Sequence, residues 1–217
     1  YTDNCKKLTE NFYRKFINKV HVAESIETAE FSKLYENTYR NVNIALANEA
    51  KILAEKINLN IFDIIKCCKT KPFGFQAFYP GPGVGGHCIP IDPLYLSWLA
   101  KKNRFTTDII NLAVKINNHM PTRIVAYIKK YLKKNKKNKV FILGAAYKKN
   151  INDLRESPII KIINLFKKNN IKFIYNDNYI PVLKSKNLSK NYKSQKILKK
   201  NLKEFDTILL LADHKYY

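Results

Sequence analysis

The side chain best suited to covalent chemistry is the thiol of Cys88, which stands in the sequence GGHCIP of residues 85–90. Thiolates are strong nucleophiles, and glycines let the backbone approach a bound molecule without a side chain covering the sulfur. Asp92 follows four residues later, near enough to orient water or to tune a thiolate. Cys88 and Asp92 are therefore candidate catalytic residues. The alternatives are that Cys88 is a small buried apolar residue and that Asp92 caps a helix beginning at Pro93.

The surroundings of Cys88 are rich in turn-forming residues. Residues 71–93 contain five of the six glycines and five of the eight prolines of the chain, with aromatic residues alternating among them. This composition is typical of a structured loop. The glycines at 81, 83, 85 and 86 follow this aromatic loop, and only Gly144 follows a predicted strand. No glycine-rich dinucleotide fingerprint therefore opens a strand–helix unit in this sequence.

A second pair of polar residues, Lys33 and Asn37, lies four positions apart on a long predicted helix, so the two share one face. They adjoin an apolar stripe, and an ammonium group beside a packed interface can stabilise an oxyanion or lose its proton readily. The alternative is an ordinary surface lysine whose stem packs while its charge stays in water.

Cations also cluster where the first predicted strand of the C-terminal part ends, at Tyr147-Lys148-Lys149, and Arg155 follows in the lead-in to a helix. In open α/β sheets ligands bind at the carboxyl ends of the strands, and a helix N-terminus beside cations suits a phosphate or pyrophosphate. A solvated basic loop is the alternative.

A long helix must position Lys33 and Asn37. Ser25 is the predicted N-cap of a helix that no glycine or proline interrupts before Asn58, about thirty residues and about 45 Å long. Its apolar residues recur every three or four positions, which indicates a spine or a dimer interface. They are Phe31, Leu34, Tyr35, Thr38, Val42, Ala45, Leu46, Ala50 and Leu53. Further helices are predicted at 61–68, 94–101 and 106–134, with a kink or boundary near Pro121.

The C-terminal part alternates strands and helices after the lysine-rich stretch 133–139. Apolar runs at 140–147, 171–175 and 207–211 predict buried strands, and Ser157-Pro158 predicts a helix start with Ser157 as N-cap. Strand–helix–strand order predicts a parallel sheet with right-handed crossovers. The lysine-rich span 184–203 is predicted as a surface helix or loop. The fold class is therefore α/β, with a central long-helix domain followed by a Rossmann-like parallel-sheet domain.

Bulk composition narrows the classes of function. The 217 residues are 46% hydrophobic, enough for a sizeable core. No apolar run reaches the length of about eighteen residues that a membrane span needs. The net charge of +23 permits nucleic-acid, anionic-membrane or phosphate-bearing partners. Nearly all the excess is lysine, with only five arginines, and many Asn and Ile residues point to an AT-rich genome. We therefore expect neither a nucleic-acid nor a membrane partner.

The cysteines bound the chemistry further. The four cysteines, at 5, 67, 68 and 88, form no CxxC pair, and the four histidines are scattered. A disulfide framework and a structural zinc site are both disfavoured by this spacing. We expect no metal, and this cysteine usage favours the reducing cytoplasm.

Three segments taken together resemble the UDP-glucose/GDP-mannose dehydrogenase family. They are Phe31–Glu49 (FSKLYENTYRNVNIALANE), Thr70–Leu96 (TKPFGFQAFYPGPGVGGHCIPIDPLYL) and Val140–Pro158 (VFILGAAYKKNINDLRESP), with a weaker match at Phe205–His214 (FDTILLLADH). The TKPFGF lead-in and the GGHCIPIDP core most resemble the branch that oxidises UDP-N-acetylglucosamine or a close UDP-N-acetylhexosamine.

The resemblance implies a three-part organisation: an NAD-binding Rossmann domain, a central helical dimerisation domain and a C-terminal UDP-sugar domain. In this chain we expect the tail of the first at residues 1–22, the second at 23–118 and a truncated third at 119–217. The resemblance also implies a homodimer or higher homo-oligomer. Because the family's acid/base glutamate and cofactor loops lie in the N-terminal domain, we expect the chain alone to be inactive.

The resemblance further implies a four-electron oxidation of a sugar C6 alcohol to a carboxylate with two NAD. Cys88 matches the nucleophile that forms a thiohemiacetal and then a thioester, and Lys33 the lysine at the oxyanion. Asn37 and Asp92 match supporting polar residues, with Asp92 near the hydrolytic water. The residues that match sugar-nucleotide contacts are Tyr79, Pro80, Gly81, Gly83, Gly85, Tyr147 and Lys148. Arg155 matches an arginine that contacts the cofactor.

Two other classes of function remain open from the sequence. One is a binding or assembly module that keeps affinity for a UDP-sugar without catalysis. The other is a basic nucleic-acid-binding protein, for which binding should weaken steeply with salt.

Overall fold

The computed structural model of the protein describes residues 2–132, 138–198 and 202–217. Helices make up its N-terminal half, and we number them in chain order. They are α1 (Asp3–Arg14), α2 (Ile26–Lys56), α3 (Ile61–Cys68), α4 (Asp92–Lys102) and α5 (Asp108–Leu132). No helix in the described ranges is both long enough and apolar enough to cross a membrane.

Helix α2 is the 31-residue helix expected from the sequence. It begins where predicted, because the Ser25 hydroxyl accepts a hydrogen bond from the Thr28 N–H at 3.0 Å and so satisfies a free donor of the first turn. Helix α3 has the predicted bounds, and Asn60 caps it through the Phe62 N–H at 3.0 Å.

The buried face of α2 differs from the predicted apolar face. Thr38 and Ala45 are buried, but Phe31 and Tyr35 of the same predicted face are exposed, as are Leu46 and Leu53. Much of the buried face, which packs against α4 and α5, is instead polar. Its buried residues are Asn37, Thr38, Asn41, Ala45, Ala47, Asn48 and Ala54. Buried amides are tolerated there because their hydrogen-bonding groups find partners.

Helix α5 joins the two halves of the molecule. It continues through Pro121 without a break. The kink or boundary expected near that residue therefore does not end the helix. Its first half packs against α2, whereas Val125, Ile128 and Leu132 of its second half belong to the core of the C-terminal unit. The expected division at 118/119 therefore falls within a continuous helix.

The C-terminal unit is built on a parallel sheet, as predicted. Its strands β1 (Lys139–Leu143), β2 (Lys172–Asn176) and β5 (Thr207–Leu210) run in the order β2-β1-β5. Lys139 of β1 lies opposite Lys172 of β2, and β1 pairs in parallel with β5 on its other side. Helix α6 (Pro158–Lys168) connects β1 to β2 and buries Ile159, Ile162, Ile163 and Phe166. These four side chains fill the core beneath the sheet.

Strand β1 ends earlier than its apolar run predicts. The run continues to Tyr147, but the strand stops at Leu143. Gly144 has φ of +84°, and a Cβ at this position would lie 2.6 Å from the backbone nitrogen of Ala212. The chain therefore turns away at the one residue type that permits both this backbone conformation and this close approach.

Two further predictions for this unit need correction. Ser157 occupies the N-cap position of α6, but its hydroxyl donates to the Ala145 carbonyl at 2.7 Å and does not cap the helix. The span 184–203, expected as a surface helix or loop, is mostly loop where the structure describes it, with Leu202 helical, but it also contains a short strand. It contributes β4 (Tyr192–Lys193), which pairs antiparallel with β3 (Val182–Leu183); positions 199–201 lie outside the described residues.

A buried carboxylate ties the ends of the C-terminal strands together. The side chain of Asp177 follows β2 and has no solvent exposure. One of its oxygens accepts from the backbone N–H groups of Ala145 (2.6 Å) and Ala146 (3.1 Å), and lies 3.0 Å from the His214 Nε2. Its other oxygen accepts from the N–H groups of Tyr179 and Ile180.

The charge of Asp177 is held by these donors. Burial alone would raise the pKa of Asp177, but the N–H groups of Ala145 and Ala146, together with His214, hold that pKa below its ordinary value. The His214 Nδ1 accepts the Asn150 N–H at 2.8 Å, so the ring proton lies on Nε2 and points at the carboxylate.

Candidate active site at the Cys88 loop

Cys88 lies in the turn that opens α4. Its carbonyl oxygen accepts the N–H groups of Ile91 (3.1 Å) and Asp92 (2.8 Å), which fixes the backbone of the turn. The residue is exposed, so the alternative of a small buried apolar residue is wrong. An exposed thiol on an anchored turn can react with a bound molecule.

Asn37 and Asp92 are brought together from positions 55 residues apart. The Asn37 amide donates to the Asp92 Oδ2 at 2.6 Å, and Asn37 itself is only 1% exposed. Asp92 is the first residue of α4, whose N-cap is Ile91, and no side chain caps this helix. The helix-cap alternative for Asp92 is therefore wrong. The contact leaves the Asp92 Oδ1 available to a further donor such as water.

Lys33 lies on the exposed side of α2, one turn before Asn37. Its Nζ is 3.0 Å from the Glu36 Oε2, and Arg40 also pairs with Glu36. The hydrogen bond from Lys33, followed by the charges of both cations, lowers the pKa of the Glu36 carboxyl. The structure thus pairs Lys33 with a carboxylate on its own helix, and its role at an oxyanion stays a prediction.

The loop of residues 81–88, which we call the glycine loop, lies against the C-terminal unit. The Gly86 N–H donates to the Arg155 carbonyl at 2.8 Å. A Cβ on Gly85 would lie 2.4 Å from the Cβ of Tyr147 and 3.1 Å from the Glu156 carbonyl oxygen, and Gly86 has φ of +84°. Only glycine permits this approach, so the loop that carries Cys88 lies directly against the segment that follows β1.

We expect Gly85→Ala to disturb this contact. The added methyl group has no space against Tyr147, so the loop must shift, and overpacking of this kind typically costs about 1–3 kcal/mol. Thermal unfolding and calorimetric titration with UDP should both show a loss. For thermal unfolding, Gly81→Ala is the matched control, since the nearest atom to a Cβ there is 3.8 Å away. Equal thermal unfolding of the two variants would contradict the loop contact.

The remaining predicted residues surround this contact. Lys148 is exposed beside Tyr147, and the half-exposed Tyr79 ring stacks near Phe62 with centroids 6.4 Å apart. Pro80, Gly81 and Gly83 are half-buried in the same loop. The structure therefore gathers the predicted sugar-nucleotide residues along the glycine loop and the segment that follows β1.

Arg155 lies at the same edge. Its guanidinium is held by Asp153 at 2.6 Å. This hydrogen bond and charge raise the pKa of Arg155, and Tyr147 and Cys88 add smaller contributions of the same sign. Arg155 lies against the loop that carries Cys88, because its carbonyl accepts the Gly86 N–H two residues before the cysteine. Among the residues described, no group of three or more His, Cys, Asp or Glu side chains is arranged to hold a metal ion.

Sequence reasoning missed three residues that hold the loop: Asn41, Asn48 and Asn117. All three are buried, at 2%, 0% and 3% exposure. The available signal was spacing, because Asn37, Asn41 and Asn48 fall on one face of α2. Asparagine is a weak helix former, so its repetition on one face of a long helix indicates a polar contact.

Comparison with known proteins gives the class of protein. The family model for the central domain of the UDP-glucose/GDP-mannose dehydrogenase family matches residues 27–119. The model for the UDP binding domain of the same family matches residues 141–217. The chain belongs to the UDP-glucose/GDP-mannose dehydrogenase family.

The chain is also similar to individual members of the family. The chain is 34% identical over 217 residues to the UDP-N-acetyl-D-mannosamine dehydrogenase of Campylobacter jejuni, covering 100% of the chain and 52% of the relative. A relative of the same name from Methanocaldococcus jannaschii is 40% identical over 163 residues, which is 75% of the chain and 36% of the relative. The solved UDP-D-ManNAc dehydrogenase of Pyrococcus horikoshii superposes with a TM-score of 0.84 at 32% identity, covering 99% of the chain and 49% of that structure. The chain thus spans about half the length, or less, of the relatives it matches.

Proposed function

We propose that this chain supplies the nucleophile and the sugar-nucleotide site of an NAD-dependent dehydrogenase that oxidises the C6 alcohol of a UDP-N-acetylhexosamine to the uronic acid. The observation that carries the proposal is the glycine loop, which joins the exposed thiol of Cys88 to Tyr147 in the segment that follows β1. The names of the relatives favour N-acetylmannosamine over N-acetylglucosamine as the sugar to test first.

Covalent capture is the task of Cys88. Its thiolate adds to the C6 aldehyde produced by the first oxidation, and the resulting thiohemiacetal retains the intermediate between the two oxidations. Loss of a second hydride from C6 leaves a thioester, and water then releases the carboxylate and restores the thiol. NAD supplies the hydride-accepting chemistry in both oxidations.

Asn37 and Asp92 serve the hydrolytic step. The Asn37 amide fixes one oxygen of Asp92, so the other oxygen can accept a proton from the attacking water. Lys33 provides a positive charge on the neighbouring turn of α2 that can stabilise the oxyanion of the thiohemiacetal.

Arg155 is the residue of this chain that would hold the cofactor. Its guanidinium is exposed and its carbonyl is bonded to Gly86, two residues from Cys88, so the side chain would be available to a pyrophosphate or a ribose near the loop. By the resemblance, the remaining cofactor contacts and the acid/base glutamate belong to the N-terminal domain of the family.

Binding of UDP tests the sugar-nucleotide site without the cofactor. We expect calorimetry to show affinity for UDP at least about 10-fold above that for uridine, because charge-assisted phosphate contacts should contribute. Lys148→Ala should remove most of this difference. Lys149→Ala is the matched control, since Lys149 already pairs with Asp213 at 3.7 Å. Equal affinity for UDP and uridine would contradict the proposal.

A homodimer formed through α2 is the proposed assembly. Leu46 and Leu53 are 62% and 60% exposed on a 31-residue helix, together with Phe31 and Tyr35. A surface of this kind is best buried against a second copy related by a two-fold axis.

The free and exposed state of all four cysteines supports a reducing compartment such as the cytoplasm as the place of action.

We expect the double variant Leu46→Glu/Leu53→Glu to sediment as a monomer at tens of micromolar concentration, while the parent sediments as a dimer. Tyr127→Glu, at a site on α5 that is 70% exposed, is the control and should leave the dimer intact. A monomeric parent with an intact circular-dichroism spectrum would contradict the assembly.

A further inference from the structure

Three buried asparagines form a continuous series of hydrogen bonds between α2 and α5. The Asn48 Nδ2 donates to the Asn117 Oδ1 at 3.0 Å. The Asn117 Nδ2 donates in turn to the backbone carbonyl of Asn41 at 2.9 Å and lies 3.3 Å from the Asn41 Oδ1. We call Asn48, Asn117 and Asn41 the amide relay.

Both ends of the amide relay reach the backbone of the Cys88 loop. At one end the Asn48 Oδ1 accepts the Gly81 N–H at 2.9 Å. At the other end the Asn41 Nδ2 donates to the Ile89 carbonyl at 3.0 Å. The relay therefore ties together residues 81 and 89, which bracket the loop glycines and Cys88.

A second contact from α5 holds the middle of the same segment. Pro121 has no N–H to donate to the Asn117 carbonyl, which is therefore free of the ordinary helical bond. Gly83 packs against this carbonyl, since a Cβ on Gly83 would lie 3.3 Å from its oxygen. Asn117 thus touches the loop with its backbone while its side chain joins the two anchors.

The direction of every bond in the amide relay is fixed. Asn48 accepts from the loop and donates to Asn117, which accepts from Asn48 and donates to Asn41. An aspartate at the central position keeps the shape and the acceptor but loses the donor. Because the three sites are buried, water cannot replace the missing bond without opening the packing of α2 on α5.

We propose that Asn41, Asn48 and Asn117 are positioning residues that set the distance between the sugar-nucleotide end of the loop and the Cys88 thiol. The proposal rests on the proposed function, in which the loop binds the UDP-sugar and Cys88 attacks its C6. Asn117 is the central member, because it contacts both other asparagines and the loop backbone. Misplacement of a nucleophile by about 1 Å can cost about 100-fold in rate.

The test uses this chain and a UDP derivative that carries a bromoacetyl group in place of the sugar. The Cys88 thiolate displaces bromide and forms a stable thioether, which mass spectrometry detects peptide by peptide. Cys5, Cys67 and Cys68 are also exposed and serve as internal references. In the parent chain we expect labelling of Cys88 that saturates with reagent and that free UDP blocks.

Asn117→Asp should lower the labelling rate of Cys88 at saturating reagent by about 100-fold. Iodoacetamide, which needs no binding, should label Cys88 at comparable rates in both proteins. Asn118→Asp is the matched control, because it makes the same change at the exposed neighbouring position. Equal saturating rates for Asn117→Asp and Asn118→Asp would overturn the amide relay as a positioning device. Failure of the parent itself to show UDP-protected labelling would instead overturn the proposed function.

Hydrogen exchange of the unmodified chain gives a measurement that needs no variant. The Gly81 N–H should be protected by Asn48, as the Gly86 N–H is by the Arg155 carbonyl. Rapid exchange at Gly81 with protection at Gly86 would overturn the proposal even if Asn117→Asp fails to fold.

Discussion

Replacing Cys88 with serine is expected to reduce uronic acid formation by about 10³-fold or more, since loss of a covalent nucleophile has cost up to about 10⁶-fold in other enzymes. A serine hydroxyl stays protonated near neutral pH and is a far weaker nucleophile without a dedicated base. The contacts proposed to bind UDP, at Lys148 and along the glycine loop, are unchanged, so UDP affinity should survive. The measurement is NADH formation with product analysis in a chimera that joins the cofactor-binding segment of the Campylobacter jejuni relative to this chain.

Lys33→Ala in the same chimera tests the stabilisation of the oxyanion separately from the covalent capture of the aldehyde by Cys88. It keeps the thiol and removes the positive charge that the proposed function places at the oxyanion, so the rate should fall by about 10²–10³-fold while product is still released. Release of uronic acid by Cys88→Ser at nearly the parental rate would show that Cys88 is structural.

Replacing Asp177 with asparagine is expected to destabilise the C-terminal unit by about 3 kcal/mol or more. The carboxylate accepts four backbone N–H bonds and faces the proton of His214. An amide in its place must point its NH₂ group at one of these sets of donors, which leaves buried donors facing each other. Urea unfolding followed by circular dichroism measures the loss. Asp213→Asn, at a side chain that is 72% exposed, is the control and should change little.

The same carboxylate predicts how stability depends on pH. Because the pKa of Asp177 is lower in the folded chain, the folded state keeps the charge at pH values where the unfolded state takes up a proton. This contribution is complete above the unfolded pKa of about 3.9 and is lost as pH falls through the folded value. The difference in unfolding free energy between the parent and Asp177→Asn should therefore shrink in acid. A difference that stays constant down to pH 2 would argue against this assignment.

Local signals in the sequence predicted α2 to α6 and the three strands of the parallel sheet, but not α1, β3 or β4. Ser25, an uninterrupted period of three to four residues and Pro158 at a first helical position each act within one turn of the chain. The end of β1 was missed because it depends on Gly144 meeting Ala212, a contact between residues 68 positions apart. Ser157 failed as a cap for the same reason, since a distant carbonyl, that of Ala145, competes for its hydroxyl.

The site was only partly predictable. The motif around Cys88 named the candidate nucleophile and the loop, but the pairing of Asn37 with Asp92 requires α2 and α4 to pack. The asparagines of α2 look like surface residues in a helix of mixed composition, and only tertiary contacts with α5 and the loop give them partners. The large apolar residues of α2 were expected on one face that forms a spine or a dimer interface, and several of them face outward in the single chain.

Helix α5 fixes the rotation and the distance of the C-terminal unit relative to the N-terminal half of the molecule. Asn117 contacts α2, and Val125, Ile128 and Leu132 fill the core beneath the sheet, all on one unbroken helix. Adding a single residue between Asn117 and Val125 would turn the sheet unit by about 100° and advance it by about 1.5 Å relative to the thiol. Insertions and deletions that the loops accept are therefore forbidden at the seven positions 118–124, and chimeras between family members should exchange α5 whole.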